Sequence, residues 1–318
     1  MDHSYWQPSA SHAERKLRAQ VYRQIRAFFD ERNVLEVDTP ILSRSASTDP
    51  ELTHLLCHSE RTSRYLQTSP EFAMKRLLAS GSGSIYQICR CFRALEQGRY
   101  HSPEFVMLEW YRQSFVIQAL IDEVIDLLNT WWPDRKPIIY RYRELLKERT
   151  GLDYDLSPLD DFKDYLNQKS GFISSSLLQG NRDELCDLIF GTDIAPTLGH
   201  DAVAVLTAYP PSQAQFAKLN NNGEEALRFE VYIDGIEIAN AYEELLDSTL
   251  QNQRFQDQNA RREALDKPQV VIDQHLLSAM NHGLPQCSGV ALGLDRLIML
   301  LATKERISEV IEFPFDRA

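Results

Sequence analysis

Two stretches of the chain carry side chains whose types and spacing could do chemistry. The first is RFEVYIDGIEIANAY over 228–242, two β-rich runs around Asp234-Gly235, which is a hairpin signal. Across a two-residue turn Ile233 pairs with Ile236, Tyr232 with Glu237 and Glu230 with Ala239, so Glu230, Tyr232, Glu237, Ala239 and Ala241 share one face. Two carboxylates that are diagonal neighbours repel unless a cation sits between them. Magnesium uses one or two carboxylates together with nucleotide phosphate oxygens, which makes Glu230 and Glu237 candidate metal ligands. Taken alone, the hairpin is better explained as a solvated sheet face, where such acids are common.

The second stretch, EFVMLEWYR over 104–112, changes that weighing. Phe105, Met107, Glu109 and Tyr111 point one way, and the apolar set Val106, Leu108 and Trp110 points to the core. The first face then carries an aromatic platform, a carboxylate and a phenol, the makings of a small-molecule site. A buried carboxylate beside a tyrosine suits a cationic ligand head. Arg93 ends the partner strand, placed to reach a phosphate through its planar fork. Neither G-x-x-x-x-G-K-[ST] nor G-x-G-x-x-G occurs. ATP, if bound, therefore lies on an antiparallel sheet held by arginines and metal.

The elements that must position these groups are legible. Ser11-His12-Ala13-Glu14 fits a capping box, and Leu17, Val21, Ile25, Phe28 and Phe29 recur at helical spacing, predicting an amphipathic helix over about 13–32. Val34–Val37 reads as a short strand stopped by Pro40. Ser69-Pro70-Glu71 opens a second helix, with Ser69 as N-cap and Pro70 at the first position, ending near Gly81. Residues 85–93 and 104–112 read as strands joined by a polar loop. Residues 116–132 and about 140–190 read as mainly helical. The stretch 288–302 passes from a Gly-spaced strand into an apolar helix. Runs of strands with attached helices, without regular βαβ alternation, predict an α+β fold on an antiparallel sheet.

Composition bounds the function. The 318 residues are 43% hydrophobic, enough for a large core. No apolar run approaches the roughly 20 residues that span a bilayer, and the N-terminus lacks a signal-peptide core, so the reading is cytoplasmic with no membrane partner. Five scattered cysteines make no disulfide framework, and Cys89 and Cys91 read as buried, reduced thiols. A net charge of −12 counts against tRNA as the main partner.

With these residues in hand, three ordered motifs resemble those of class II aminoacyl-tRNA synthetases. The helix and strand ending in Val37-Asp38-Thr39-Pro40 resemble motif 1, Phe92-Arg93 through His101-Ser102-Pro103-Glu104-Phe105 motif 2, and Gly289-Val290-Ala291-Leu292-Gly293-Leu294-Asp295-Arg296 motif 3. Glu109-Trp110-Tyr111 and Glu237-Ile238-Ala239-Asn240 through Glu244 resemble the lysine branch. The resemblance implies one catalytic domain over 1–318, an antiparallel sheet flanked by helices, with a mainly helical insertion at about 115–200. It implies ATP as substrate, magnesium, and catalytic roles for Arg93 and Arg296. The implied ATP contacts are Arg93, Ala94, Leu95, His101, Ser102, Phe105, Glu237, Ile238, Gly293 and Arg296. Ser69, Pro70, Glu71, Glu109, Tyr111, Glu244 and Ala291 fall to the amino-acid site, and Glu230 and Glu237 to magnesium. Glu244 lies seven residues after Glu237, the wrong parity for a straight strand, so a bulge or turn is expected between them.

Motif 1 begins within the first dozen residues, which leaves no room for an anticodon-reading domain. In this the chain resembles the lysyl-tRNA synthetase paralogues that pass lysine, preferentially (R)-β-lysine, to a lysine of elongation factor P. Ala291 stands where lysyl-tRNA synthetases have glycine, as in those paralogues; a homodimer built through motif 1 is implied too. Two departures stand out: Leu95 where motif 2 has Glu, with Glu96 one place later, and Ser102 where the family has Asn.

Overall fold

The structure, a computed structural model, describes residues 6–58, 62–170 and 180–318. Residues 171–179 of the expected helical stretch lie outside the described residues. The chain forms two compact units, Met1–Val116 with Glu244–Ala318, and Ile117–Glu243.

In the first unit the helix His12–Asp30 starts in the expected capping box: Ala13 N donates to Ser11 Oγ (3.1 Å) and Ser11 N to Glu14 Oε2 (2.8 Å). Its apolar stripe buries Val21, Ile25, Phe28 and Phe29. Phe29 stacks on Tyr86 at 4.4 Å and meets Trp110 edge-on at 5.3 Å, which fixes the helix to the outer face of the sheet. Four strands lie in the order Leu35–Glu36, Ile85–Phe92, Glu104–Gln113, Cys287–Gly293. The first pair is parallel and the others antiparallel, so the sheet is mixed at its edge rather than wholly antiparallel.

Register decides what the inner face presents. Glu109 pairs with Gln87 and Ala291, and Tyr111 with Ile85 and Gly289. Phe105, Met107, Glu109 and Tyr111 thus share a face with Gly289 and Ala291, while Trp110 goes to the helix side. The helix Glu71–Ala79 packs against Gln274–Gly283, and Leu294–Leu301 against the strand Glu104–Gln113. The residue flanking the first of these helices is Pro70 rather than Ser69, whose hydroxyl accepts from Glu71 N at 3.0 Å.

The second unit orders its strands Ile236–Glu243, Ala226–Ile233, Ala202–Tyr209, Lys136–Arg141, the last pair parallel. Helices Ile117–Asn129, Tyr142–Thr150, Leu159–Ser170 and Arg182–Ile189 accompany them. Tyr142, Leu146, Phe162, Leu185, Ile189 and Leu206 belong to one buried core, where Tyr142 stacks on Phe190 at 4.2 Å. The hairpin turn is as read: Asp234 and Gly235 both take positive φ, 49° and 78°. Ile236 pairs with Ile233 and Glu237 with Tyr232 as expected, but the register then shifts. A bulge between Glu237 and Ala239 puts Asn240, not Ala239, opposite Glu230. Of the bulge or turn expected between Glu237 and Glu244, the strand takes this bulge. Its consequence is that Asn240 and Tyr242 join Glu230, Tyr232 and Glu237 on one face, and Ala239 and Ala241 leave it.

Candidate active site

The first unit assembles a cluster of acids around one lysine. The helix Glu71–Ala79 brings Glu71 and, one turn later, Lys75; the strand Glu104–Gln113 brings Glu109 and Tyr111; Glu244 follows the end of the hairpin. Lys75 Nζ lies 2.6 Å from Glu71 Oε1 and 2.5 Å from Glu244 Oε2. Glu109 accepts from Ser69 Oγ and from Tyr111 Oη, each at 2.7 Å. Pro70 starts the helix that carries Glu71. Gly289 leaves the space these groups need: a β carbon there would sit 2.3 Å from Tyr111 Cε1 and 2.8 Å from Glu244 Oε1. Ala291, half-buried, is the cross-strand neighbour of Glu109 on the same face.

The cluster is short of positive charge. Burial pushes Glu109 up to about 7, with Glu71 adding to it, against the hydrogen bonds of Ser69 and Tyr111. Burial likewise pushes Glu244 up to about 8 although Lys75 pulls it down. Burial alone would lower Lys75, but Glu244 and Glu71 overcome that and hold its ammonium above the ordinary range. Three carboxylates face one ammonium, so a ligand bearing further ammonium groups is the natural complement.

The other end of the same strand pair carries Arg93 and Phe105. The Arg93 guanidinium lies 5.1 Å from the Phe105 ring centroid and donates to Glu96 at 3.1 Å. Leu95 is 78% exposed, and Glu96, one place along, is the acid that pairs with Arg93. Arg93 Nε is buried and has no hydrogen-bond partner among the described residues, an unsatisfied donor that a phosphate oxygen would satisfy. Ala94 N donates to Thr53 O at 2.9 Å, and Ser102 is buried. Gly293 caps the helix that carries Arg296. Arg296 donates through Nε to Tyr100 O (3.1 Å) and lies 2.6 Å from His101 Nε2. Burial, then Arg296, lowers His101, and because arginine can only donate, the neutral ring accepts at Nε2.

In the second unit Glu230 is committed. Arg228 Nη2 donates to its Oε1 and Tyr232 Oη to its Oε2, each at 2.5 Å. The guanidinium, itself set over the Tyr209 ring at 4.3 Å, supplies the positive charge that a metal ion would supply. Glu230 therefore does not fit the part of an open magnesium ligand. Glu237 lies half-buried on the same face, and Ile238 is buried at the bulge. No group of three or more His, Cys, Asp or Glu side chains that could hold a metal occurs among the described residues.

The class II tRNA synthetase family (D, K and N) matches residues 5–317. The chain belongs to this family. It is 43% identical over 327 residues to the elongation factor P–(R)-β-lysine ligase of Edwardsiella ictaluri (strain 93-146), covering 100% of this chain and 99% of that protein. It is 42% identical over 331 residues to the protein of the same name from Vibrio atlanticus (strain LGP32), covering 99% and 100%.

Three residues at these sites escaped the sequence reading. Lys75 reads as an ordinary helix lysine, and only its i,i+4 spacing from Glu71 signals an ion pair. Arg228 stands two residues before Glu230 and so on its face, which parity alone could have shown. Asp295, inside motif 3, is buried and consumes both oxygens: it accepts from Arg18 (2.6 Å) and from Val106 N (2.7 Å), tying the first helix and the inner strand to the helix of Arg296. Cys89 and Cys91 are free thiols, 3.9 Å apart, Cys91 buried and Cys89 half-buried.

Proposed function

We propose that this class II synthetase activates lysine, preferentially (R)-β-lysine, with ATP and passes the aminoacyl group to a lysine side chain of elongation factor P. The observation that carries the reading is the cluster of Glu71, Glu109 and Glu244 around Lys75, a pocket whose excess of carboxylate suits a diamino acid. The names of its full-length relatives supply the acceptor.

The chemistry takes two steps. The amino-acid carboxylate attacks the ATP α-phosphorus, the bond to the β-phosphate oxygen breaks, and pyrophosphate leaves. Arg93, with its unsatisfied Nε, stabilises charge on the α-phosphate oxygens. Arg296 and neutral His101 face the more distal phosphates. Phe105, beneath Arg93, is the platform for the adenine ring. Magnesium would enter with the nucleotide phosphates. The acceptor ε-amine, neutral when it reacts, then attacks the carbonyl of the mixed anhydride; AMP leaves and the amine proton goes to solvent.

Among the described residues no helix is long and apolar enough to cross a membrane. A homodimer follows from the family reading. Phe28, Phe29 and Val34 are already buried within the unit, so its interface would draw on Leu35, Ile41 and Leu42, which are exposed. The activation step is tested by pyrophosphate exchange across a panel of amino acids. Exchange with lysine and β-lysine, and none with norleucine, is expected; exchange with neither lysine would remove the reading.

A further inference from the structure

The helix Glu71–Ala79 delivers to this pocket a charge that the adenylate chemistry does not use. Lys75 is only 2% exposed, and its ammonium bridges two carboxylates carried by separate segments. Apolar residues of similar volume often replace a buried ion pair without loss of stability, so burial of a lysine here calls for a reason besides packing. Lys75 engages Oε1 of Glu71 and Oε2 of Glu244. The other oxygen of Glu244, Oε1, faces the space over Gly289.

We propose that Lys75 is a specificity-determining positioning residue: its ammonium fixes one oxygen each of Glu71 and Glu244 and leaves their second oxygens for the amino groups of a diamino acid. The inference rests on reading this cluster as the amino-acid pocket. Its charge sum sets the ligand class. Once all three carboxyls are ionised, they and Lys75 leave two negative charges unmatched, the complement of two ammonium groups. The groups facing Glu244 are Lys75 and Glu71 from the helix, and Glu109 and Tyr111 from the strand. Of these, Lys75 pulls Glu244 and Glu109 toward ionisation against burial. Without it both carboxyls would hold their protons to higher pH, and a protonated carboxyl cannot match an ammonium.

The test uses Lys75→Met and Lys75→Arg in the full chain. Lysine-dependent pyrophosphate exchange is measured from about pH 6.5 to 9.5, and calorimetric binding of lysine and norleucine near pH 7. The methionine variant should raise the lysine KM by roughly tenfold or more near pH 7, with kcat less affected. That deficit should shrink toward the alkaline end, and norleucine binding should not weaken. The arginine variant, which keeps the charge, should follow the parent's pH profile even where its bulk weakens binding. A methionine variant with the parent's KM and pH profile, or with an equal loss at every pH, overturns the proposal. Should the methionine variant fail to fold, Lys75→Arg decides alone: a profile parallel to the parent's supports the role, and one displaced along pH overturns it. A parental lysine KM in Glu109→Gln would remove the pocket reading itself, an outcome separate from both.

Discussion

Replacing Gly289 by alanine probes the amino-acid pocket with a single methyl. Its carbon would lie 2.3 and 2.4 Å from Cε1 and Cδ1 of Tyr111 and 2.8 Å from Glu244 Oε1. Carbon atoms pack at about 3.5–4.0 Å, so the ring must retreat by more than about 1 Å. A shift of that size misaligns the 2.7 Å hydrogen bond from Tyr111 to Glu109, a bond to a carboxyl group worth about 1.5–3 kcal/mol when the acceptor is charged. Overpacking of the ring adds about 1–3 kcal/mol to the loss of fold stability. Gly289→Ala should therefore lower the unfolding free energy by about 1–3 kcal/mol and raise the lysine KM by roughly tenfold or more. Denaturant unfolding reads the first and lysine-dependent pyrophosphate exchange the second. In the background of Tyr111→Ala the methyl should cost less stability, because the ring it meets is gone, and a double-mutant cycle gives the coupling. Parental stability together with a parental KM would refute the reasoning, since it would show that strand and ring do not meet as described.

Four further outcomes follow from the same geometry. Glu109 is 2% exposed and pushed up to about 7, so below its ordinary range the proton costs nothing and stability falls as pH rises through about 7; Glu109→Gln should gain on the order of 3 kcal/mol over the parent near pH 8 and nothing near pH 4, while losing lysine activation. A stability difference independent of pH would count against this. Ala291→Gly removes the methyl beside Glu109 and should favour α-lysine over β-lysine by roughly 10–200-fold, read as the ratio of kcat/KM for the two; an unchanged ratio makes Ala291 a packing residue only. Glu230→Gln leaves Arg228 without its anion and should destabilise by about 3–5 kcal/mol equally with and without magnesium, whereas a magnesium-dependent difference would restore its metal role. Light scattering at micromolar concentration should show a dimer; a species of about the 36.7 kDa chain mass alone would end that proposal.

How much of this was legible depended on what each residue does in the chain. The strands carrying Arg93, Glu109 and Tyr111 alternate between a buried apolar face and a site face, a period-2 pattern that survives folding unchanged. The first helix announced itself through the Ser11–Glu14 capping box. Parity between Glu237 and Glu244 called for a bulge or a turn, yet that it is a bulge placed after Glu237 depends on cross-strand packing that one strand's sequence does not contain. The strand Lys136–Arg141 went unread because Pro137 and its flanking charges mimic a linker, which a parallel edge strand tolerates. Lys75 was the largest omission. A lysine in an amphipathic helix normally points to solvent, and its burial follows only once Glu244, distant in sequence, is brought to it. The substitution of Glu96 for Leu95 was open in the sequence for the same kind of reason: the bend of the loop, not the count of residues, decides which side chain meets Arg93.

The most direct test of the central claim is the intact mass of elongation factor P after incubation with this enzyme, ATP and (R)-β-lysine. The account predicts a gain of one lysyl group on the protein, dependent on ATP and lost in Glu109→Gln. Unmodified elongation factor P, with the activated amino acid found instead on tRNA or not formed at all, would contradict it.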